Sequence, residues 1–227
     1  MRLVLASTSP SRRRILRMAG IEPVLLAPGV DEEAVAAAAG DLDATAHVQL
    51  LATVKARAVL PQVVAGGADA LVLGGDSAFV LDGEILGKPH RPEVAVERWR
   101  AMRGRTGTLL TGHCLIEVRD GRVGREAEAV AGAEVSFADV TDREIDDYVA
   151  SGEPLSVAGA FTLEGRGAAF ITSVVGDPHA VVGLSVAVLR SLAARLGTEW
   201  PDLLGGGHGG GTHGGADHGP AETPAAL

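Results

Sequence analysis

Several stretches of this chain gather residue types that could do chemistry together. The first, Ser7-Thr8-Ser9-Pro10-Ser11-Arg12-Arg13-Arg14, follows an apolar run from Leu3 to Ala6. Ser9 is a good N-cap and Pro10 suits the first helical position, so the stretch reads as a strand-to-helix junction. Backbone N–H groups and the helix dipole favour an anion at such an end. Three arginines in the first turn oppose that dipole, and a bound polyphosphate would reverse the sign. A solvated basic turn is the plainer alternative, and the residues alone leave both open.

Gly74-Gly75-Asp76-Ser77 follows Leu71-Val72-Leu73, which reads as a buried strand. A carboxylate at the C-terminal edge of a central strand can bind a divalent cation or act as a general base toward water. It can also simply cap a turn. Lys55 shares a helical stripe with Val48, Leu51 and Val59. It either snorkels to water or points into a cleft to meet a phosphate. In Gly87-Lys88-Pro89 the proline fixes the backbone and the glycine leaves room, so Lys88 is held at a defined place. A simple loop lysine is the alternative. Gly152-Glu153-Pro154 leads to Ala158-Gly159-Ala160-Phe161-Thr162-Leu163-Glu164-Gly165, which has neither helical nor strand period. Such a loop approaches a flat ligand or turns tightly. Glu164 could accept from the amino or imino groups of a base. An anion cradle, two lysines, the acidic stretch Asp31-Glu32-Glu33 and one placed Asp suit hydrolysis of a phosphoanhydride by metal-activated water.

These residues need elements to position them. Strands are expected at Leu3 to Ala6, Val24 to Ala27, Leu71 to Leu73, about 107–118, about 123–138 and Ala168 to Val174. Helices are expected from Pro10 to Ala19, about 44–60, about 92–103, Thr141 to Ala150 and Val181 to Leu196. Asp82-Gly83 and Asp120-Gly121 are hairpin turns, and Thr141-Asp142-Arg143-Glu144 is a capping box. Strands and helices alternate with inserted hairpins, which predicts an α/β fold with a mixed sheet. From Gly205 the chain becomes Gly/His-rich, with His208, His213 and His218. A domain over residues 1–200 and a disordered tail over 201–227 are expected. The tail's histidines could also take a transition metal.

Composition bounds the function. The chain has 227 residues, 46% of them hydrophobic but only 3% aromatic, so Val, Leu, Ile and Ala must build the core. A net charge of −9 makes it a poor candidate for sequence-independent nucleic-acid or membrane binding. The single cysteine, Cys114, allows no internal disulfide and no Cys-rich metal site. No apolar run approaches the ~20 residues of a membrane span, and the N-terminal stretch is too short for a signal peptide. A cytoplasmic location is the expectation.

With these residues in view, the chain resembles Maf proteins. The resemblance rests on Val4-Leu5-Ala6-Ser7-Thr8-Ser9-Pro10 with Arg12, Lys55-Ala56-Arg57-Ala58, Gly75-Asp76-Ser77 and Gly87-Lys88-Pro89. It continues through Thr111-Gly112-His113, Gly152-Glu153-Pro154, Ala158-Gly159 and Val181-Val182-Gly183-Leu184, in the family's order and spacing. It implies an elongated mixed sheet in two lobes with a central cleft, similar to inosine triphosphate pyrophosphatases. It implies hydrolysis of nucleoside triphosphates, modified ones included, between the α and β phosphates with Mg²⁺ or Mn²⁺. Asp76 matches the family's proton acceptor. Ser7, Arg12, Lys55 and Lys88 match triphosphate-contacting positions, and Glu33 is taken as the second metal ligand beside Asp76. A homodimer is a family analogy.

The specificity positions depart from the pattern. Family members acting on dTTP and UTP look like Asp-Lys-Ala-Gly-Ala-Tyr followed by Gln-Gly. This chain has Ser156-Val157-Ala158-Gly159-Ala160-Phe161 followed by Glu164-Gly165. The Glu is similar to members acting on 7-methyl-GTP, but those carry an aromatic residue in place of Ser11 and Gln in place of Ser77. A second expectation is a nucleotide-binding regulator of septation with little turnover. The missing lysine at Val157 suits it, while Asp76, Lys55 and Lys88 argue against it.

Overall fold

The computed structural model describes residues 1–204. Most of the expected tail, residues 205–227, lies outside the described residues. Residues 201–204 do not open that tail: a single 3₁₀ turn, Trp200–Leu203, buries Leu203 in the core.

The fold is α/β, built on one open sheet of seven strands. They are β1 (Arg2–Ala6), β2 (Val24–Leu26), β3 (Ala70–Leu81), β4 (Glu84–Leu86), β5 (Thr106–Arg119), β6 (Arg122–Phe137) and β7 (Ile171–Gly176). The order is β2-β1-β3-β5-β6-β7, with β4 on β3. β1 pairs parallel with β2 and β3, and every other pairing is antiparallel. The hairpins form at the expected turns. Asp82 and Gly83, and Asp120 and Gly121, have positive φ at both central positions, as the tightest hairpin turns require.

The helices are α1 (Pro10–Met18), α2 (Glu32–Ala39), α3 (Ala44–Ala58), α4 (Leu60–Ala65), α5 (Pro92–Met102), α6 (Asp142–Ala150), α7 (Pro178–Val182) and α8 (Val186–Arg195). Ser9 caps α1 through Arg12 N, and the Thr141–Glu144 capping box opens α6. Ala44–Ala65 has the length and apolar content of a membrane span, contrary to the sequence expectation. Here it is a core helix: Val48, Leu51, Ala52 and Ala56 are buried, and α3 packs on β3 and β5. Glycines allow that approach. A Cβ on Gly74 would stand 2.0 Å from Ala52 O, and one on Gly112 would stand 2.4 Å from Val48 O.

Two expectations about elements change. The last helix does not run unbroken from Val181. Gly183, at φ +117°, ends α7, and Ser185 caps a new helix, α8. The final strand starts at Ile171 because residues Arg166–Phe170 form a 3₁₀ turn.

The aromatics are few but not scattered. Phe79, Trp99, Phe137, Tyr148, Phe161 and Phe170 stack edge-to-face at 5.0–5.7 Å in one lobe, with α5 and α6. The other lobe is aliphatic, as composition predicts, apart from a partly buried Trp200. Leu5, Leu16, Leu73, Leu115 and Leu189 pack on one face of the sheet. Val4, Ala52, Ala56, Val72 and Ile116 pack on the other.

Candidate active site

The sheet is interrupted where the chemistry gathers. β1 stops pairing with β3 at Ala6↔Gly74, and β4 begins at Phe79↔Leu86. Residues 75–78 therefore have no strand on that edge. Asp76 is in the middle of the twelve-residue β3, not at its end as the sequence suggested. What ends beside it is β1, which gives the same opening by another route. A cleft of about 1010 Å³ lies there. It is lined by Ser7, Ser11, Arg12, Glu32, Glu33, Lys55, Asp76, Ser77, Lys88 and Glu164 among others. Ser7, Arg12, Lys55, Lys88, Asp76, Glu33 and the three specificity positions thus reach one cavity.

Alternation along β3 sends Asp76 and Ser77 to opposite faces. Asp76 faces α3. There Lys55 Nζ donates to Asp76 Oδ1 at 2.6 Å, and Glu32 Oε1 lies 2.8 Å from the same nitrogen. Lys55 and Asp76 are 5% and 8% exposed. Lys55 does not snorkel to bulk water, because a buried carboxylate is within reach. The acidic residue brought to Asp76 is Glu32, not Glu33. Asp31 caps α2 through Ala34 N, which makes Glu32 the first helical residue and turns it toward Lys55. Glu33, one position further round, borders the cleft but is exposed.

Ser77 faces α1 and α7. The buried Arg12 guanidinium donates from Nε to Gly183 O at 2.7 Å. Its terminal nitrogens donate to Ser7 Oγ at 3.3 Å and Ser77 Oγ at 3.0 Å. Thr111 Oγ1 donates to Ala180 O at 2.8 Å, which uses its only proton. Ser77 must then donate to Thr111, 2.8 Å away, and accept from Arg12. Its hydroxyl is committed to holding Arg12. Burial lowers the Arg12 pKa, and the charges of Asp76 and Glu32 oppose that shift. Three of the five guanidinium N–H groups are used, all on neutral acceptors, so the net charge remains for a ligand.

The other wall comes from the aromatic lobe. Trp99 Nε1 donates to Ala160 O at 2.7 Å, fixing the turn at residues 158–160. Gly159 has φ +70°, and a Cβ there would stand 2.7 Å from Phe79, so only glycine fits. Glu153 ties the next segment. Its carboxylate accepts from Tyr148, Thr162, Arg166 N and Gly167 N. Burial pushes the Glu153 carboxyl up, but these hydrogen bonds outweigh it and hold it below the ordinary carboxylate range. Glu164 lies beyond these anchors and pairs with Arg14 of α1, a contact with both side chains partly exposed. Lys88 is exposed on a loop held where Arg98 donates to Gly87 O and His90 N to Leu155 O. It has no carboxylate partner among the described residues.

The sequence named the stretches that hold Glu32, Arg14, Thr111 and Gly183 but assigned none of these four residues its own place in the site. Asp31 as an N-cap was the signal for Glu32. Thr111 and Arg14 carry no local signal, because their partners are remote in sequence.

A second acidic group lies elsewhere: Cys114, Glu126 and Glu128 hold ligand-type atoms within 4.8 Å of one another. Arg57 already pairs with Glu126, Thr53 donates to Glu128, and burial pushes the Cys114 thiol up to about 12. No residue of this group lines the cleft.

An α/β sheet with a cleft beside an unpaired stretch of β3, lined by arginines and lysines together with carboxylates, suits a polyanionic ligand held with a cation. The family profile described as Maf-like protein matches residues 2–196, and the chain belongs to that family. It is 58% identical over 207 residues to a nucleoside triphosphate pyrophosphatase of Leifsonia xyli subsp. xyli, covering 89% of this chain and 96% of the relative. It is 53% identical over 203 residues to a protein of the same name from Streptomyces coelicolor, covering 89% and 94%. A third of that name, from Saccharopolyspora erythraea, is 48% identical over 206 residues, covering 90% and 98%.

Proposed function

We propose that this chain hydrolyses a nucleoside triphosphate to the monophosphate and pyrophosphate. The observation that carries the reading is the Lys55–Asp76–Glu32 cluster beside Arg12, at the unpaired stretch of β3. Relatives covering nearly the whole chain carry that activity in their names. Arg12, Lys55 and Lys88 supply positive charge for the phosphates, and Ser7 adds a hydroxyl. In the reaction a water oxygen bonds to the α phosphorus, the bond from that phosphorus to the bridging oxygen breaks, and pyrophosphate leaves with the electron pair. Lys55 engages Oδ1 of Asp76, which leaves Oδ2 to accept the water's proton.

The donor set fits Mg²⁺ or Mn²⁺. Asp76 and Glu32 both bring a carboxylate oxygen to one cationic group, the Lys55 ammonium, and hard divalent cations prefer such oxygens. Asp76 and Glu32, with Glu33 on the same turn, would hold the ion. Bound there, it supplies charge neutralisation and an acidified water. At the far end, Ser11, Glu164 and the turn at Gly159 face the base, with Arg14 beside Glu164.

The test is pyrophosphate release from a panel of common and modified nucleoside triphosphates with Mg²⁺ or Mn²⁺. Equal yields of monophosphate and pyrophosphate are expected. Binding without release on every member would leave a nucleotide-binding regulator as the reading.

A further inference from the structure

We infer that His113 is a positioning residue for Arg12, acting through the Ser185 amide and the Gly183 carbonyl. The inference rests on the functional reading above only for its kinetic arm. His113 is 1% exposed on β5, opposite Gly75. Its Nε2 accepts from Ser185 N at 2.9 Å. An accepting Nε2 puts the ring proton on Nδ1 and makes the imidazole neutral. Burial, and next the charge of Arg12, push its pKa down to about 4, so it stays neutral at ordinary pH.

The segment it holds is the one that grips the arginine. Residues 183–185 link α7 to α8, and Gly183 O takes Arg12 Nε at 2.7 Å. Gly183 sits at φ +117°, which other residues rarely adopt. β5 clamps the segment on both sides of that glycine. Thr111 binds Ala180 O before it, and His113 binds Ser185 N after it. Alternation puts Thr111 and His113 on one face of β5, two residues apart. Asp177 completes the frame by capping α7 and accepting from Ser185 Oγ.

The choice of acceptor has a physical reason. A carboxylate beside a buried guanidinium would pair with it and draw it away from a ligand. A neutral imidazole takes the amide proton without competing for the arginine's charge. Removing it leaves a buried N–H unpaired and frees the Gly183 carbonyl to turn.

Gln and Asn substitutions separate positioning from bulk packing. Gln places its oxygen near the Nε2 position, whereas Asn places it near Nδ1, too short to reach Ser185. The full chain is compared as wild type, His113→Gln and His113→Asn. His113→Asn is expected to raise KM for the triphosphate about tenfold, with kcat changed less, and His113→Gln to recover most of it. Nitrogen-edited NMR should show a slowly exchanging Arg12 Nε–H in wild type and His113→Gln, and fast exchange in His113→Asn. Equal behaviour of the two variants would overturn the inference. A wild type that hydrolyses no triphosphate sinks the functional reading alone, since the NMR arm still decides this one. If His113→Asn does not fold, the wild-type ring nitrogens decide. A proton on Nε2 refutes the inference, and coupling from Ser185 N–H to Nε2 upholds it.

Discussion

Arg12 and Glu164 line the same cleft, yet they are held in opposite ways. Arg12 is 8% exposed and fixed by Gly183, Ser7 and Ser77, on a lobe packed with aliphatic side chains. Glu164 projects past the last anchors of a loop laid on the aromatic lobe, and one half-exposed arginine, Arg14, holds it. Buried groups with several partners keep one geometry, whereas an exposed ion pair is worth little and exchanges easily. The first end suits the invariant part of a nucleotide, its phosphates. The second suits the part that varies. The comparison predicts large losses of rate from one end and changes of preference from the other.

Asp76→Asn should break the first end most. Pyrophosphate release is expected to fall by ~100-fold or more while triphosphate binding persists, because positioned proton transfer is worth about that much. A loss under about tenfold in steady-state assays would remove Asp76 from the role of base.

Next in size is the metal. Glu32→Gln should raise the Mg²⁺ concentration for half-maximal rate by on the order of tenfold, and Glu33→Gln should move it far less. The reverse order would show that α2 turns when the ion binds. Both are read from activity against metal concentration.

Much of this site was legible in the sequence, and its residues show why the rest was not. Ser9-Pro10, the Asp-Gly hairpins and the Thr141 capping box are local chemistry, so they appear where expected. Lys55 stood out as a charge on an apolar stripe, but its partner Asp76 lies on another element. β3 looked as though it ended at Gly74-Gly75, since glycines punctuate strands. In the structure they are there to admit α3 and Arg12. Gly183 lies within an apolar run that reads as continuous helix, although a left-handed glycine ending α7 and Ser185 capping α8 are local signals of a break. The choice of Glu32 over Glu33 turned on a single helical position, which Asp31 as the N-cap sets.

At the second end, Glu164→Gln and Arg14→Ala should each change the ranking of bases in the triphosphate panel. The rate on the preferred substrate should fall by less than about tenfold, as the pair is exposed and carries no step of the reaction. Lys88→Ala should instead raise KM for all bases alike, since Lys88 faces the phosphates in the proposed reading. A ranking changed by Lys88→Ala and untouched by Glu164→Gln would reverse the assignment of the two ends.

The smallest effect concerns stability and lies beneath the first end. His113 has a pKa of about 4 in the fold, below its ordinary 6.5. Between those values the unfolded chain binds a proton that the folded chain does not. Stability from this group is therefore complete above about pH 6.5 and declines as pH falls, by at most ~1.4 kcal/mol per unit. Glu153, held below the ordinary carboxylate range, contributes stability that is lost only at lower pH, so the His113 window is separable. Between pH 7.5 and 5.0 the wild type should lose about 4–8 °C more in Tm than His113→Gln, which has no proton to gain. Parallel melting curves would mean that the imidazole is not confined as a neutral acceptor. Arg12 would then lack the rigid backing that sets its end of the cleft apart from that of Glu164.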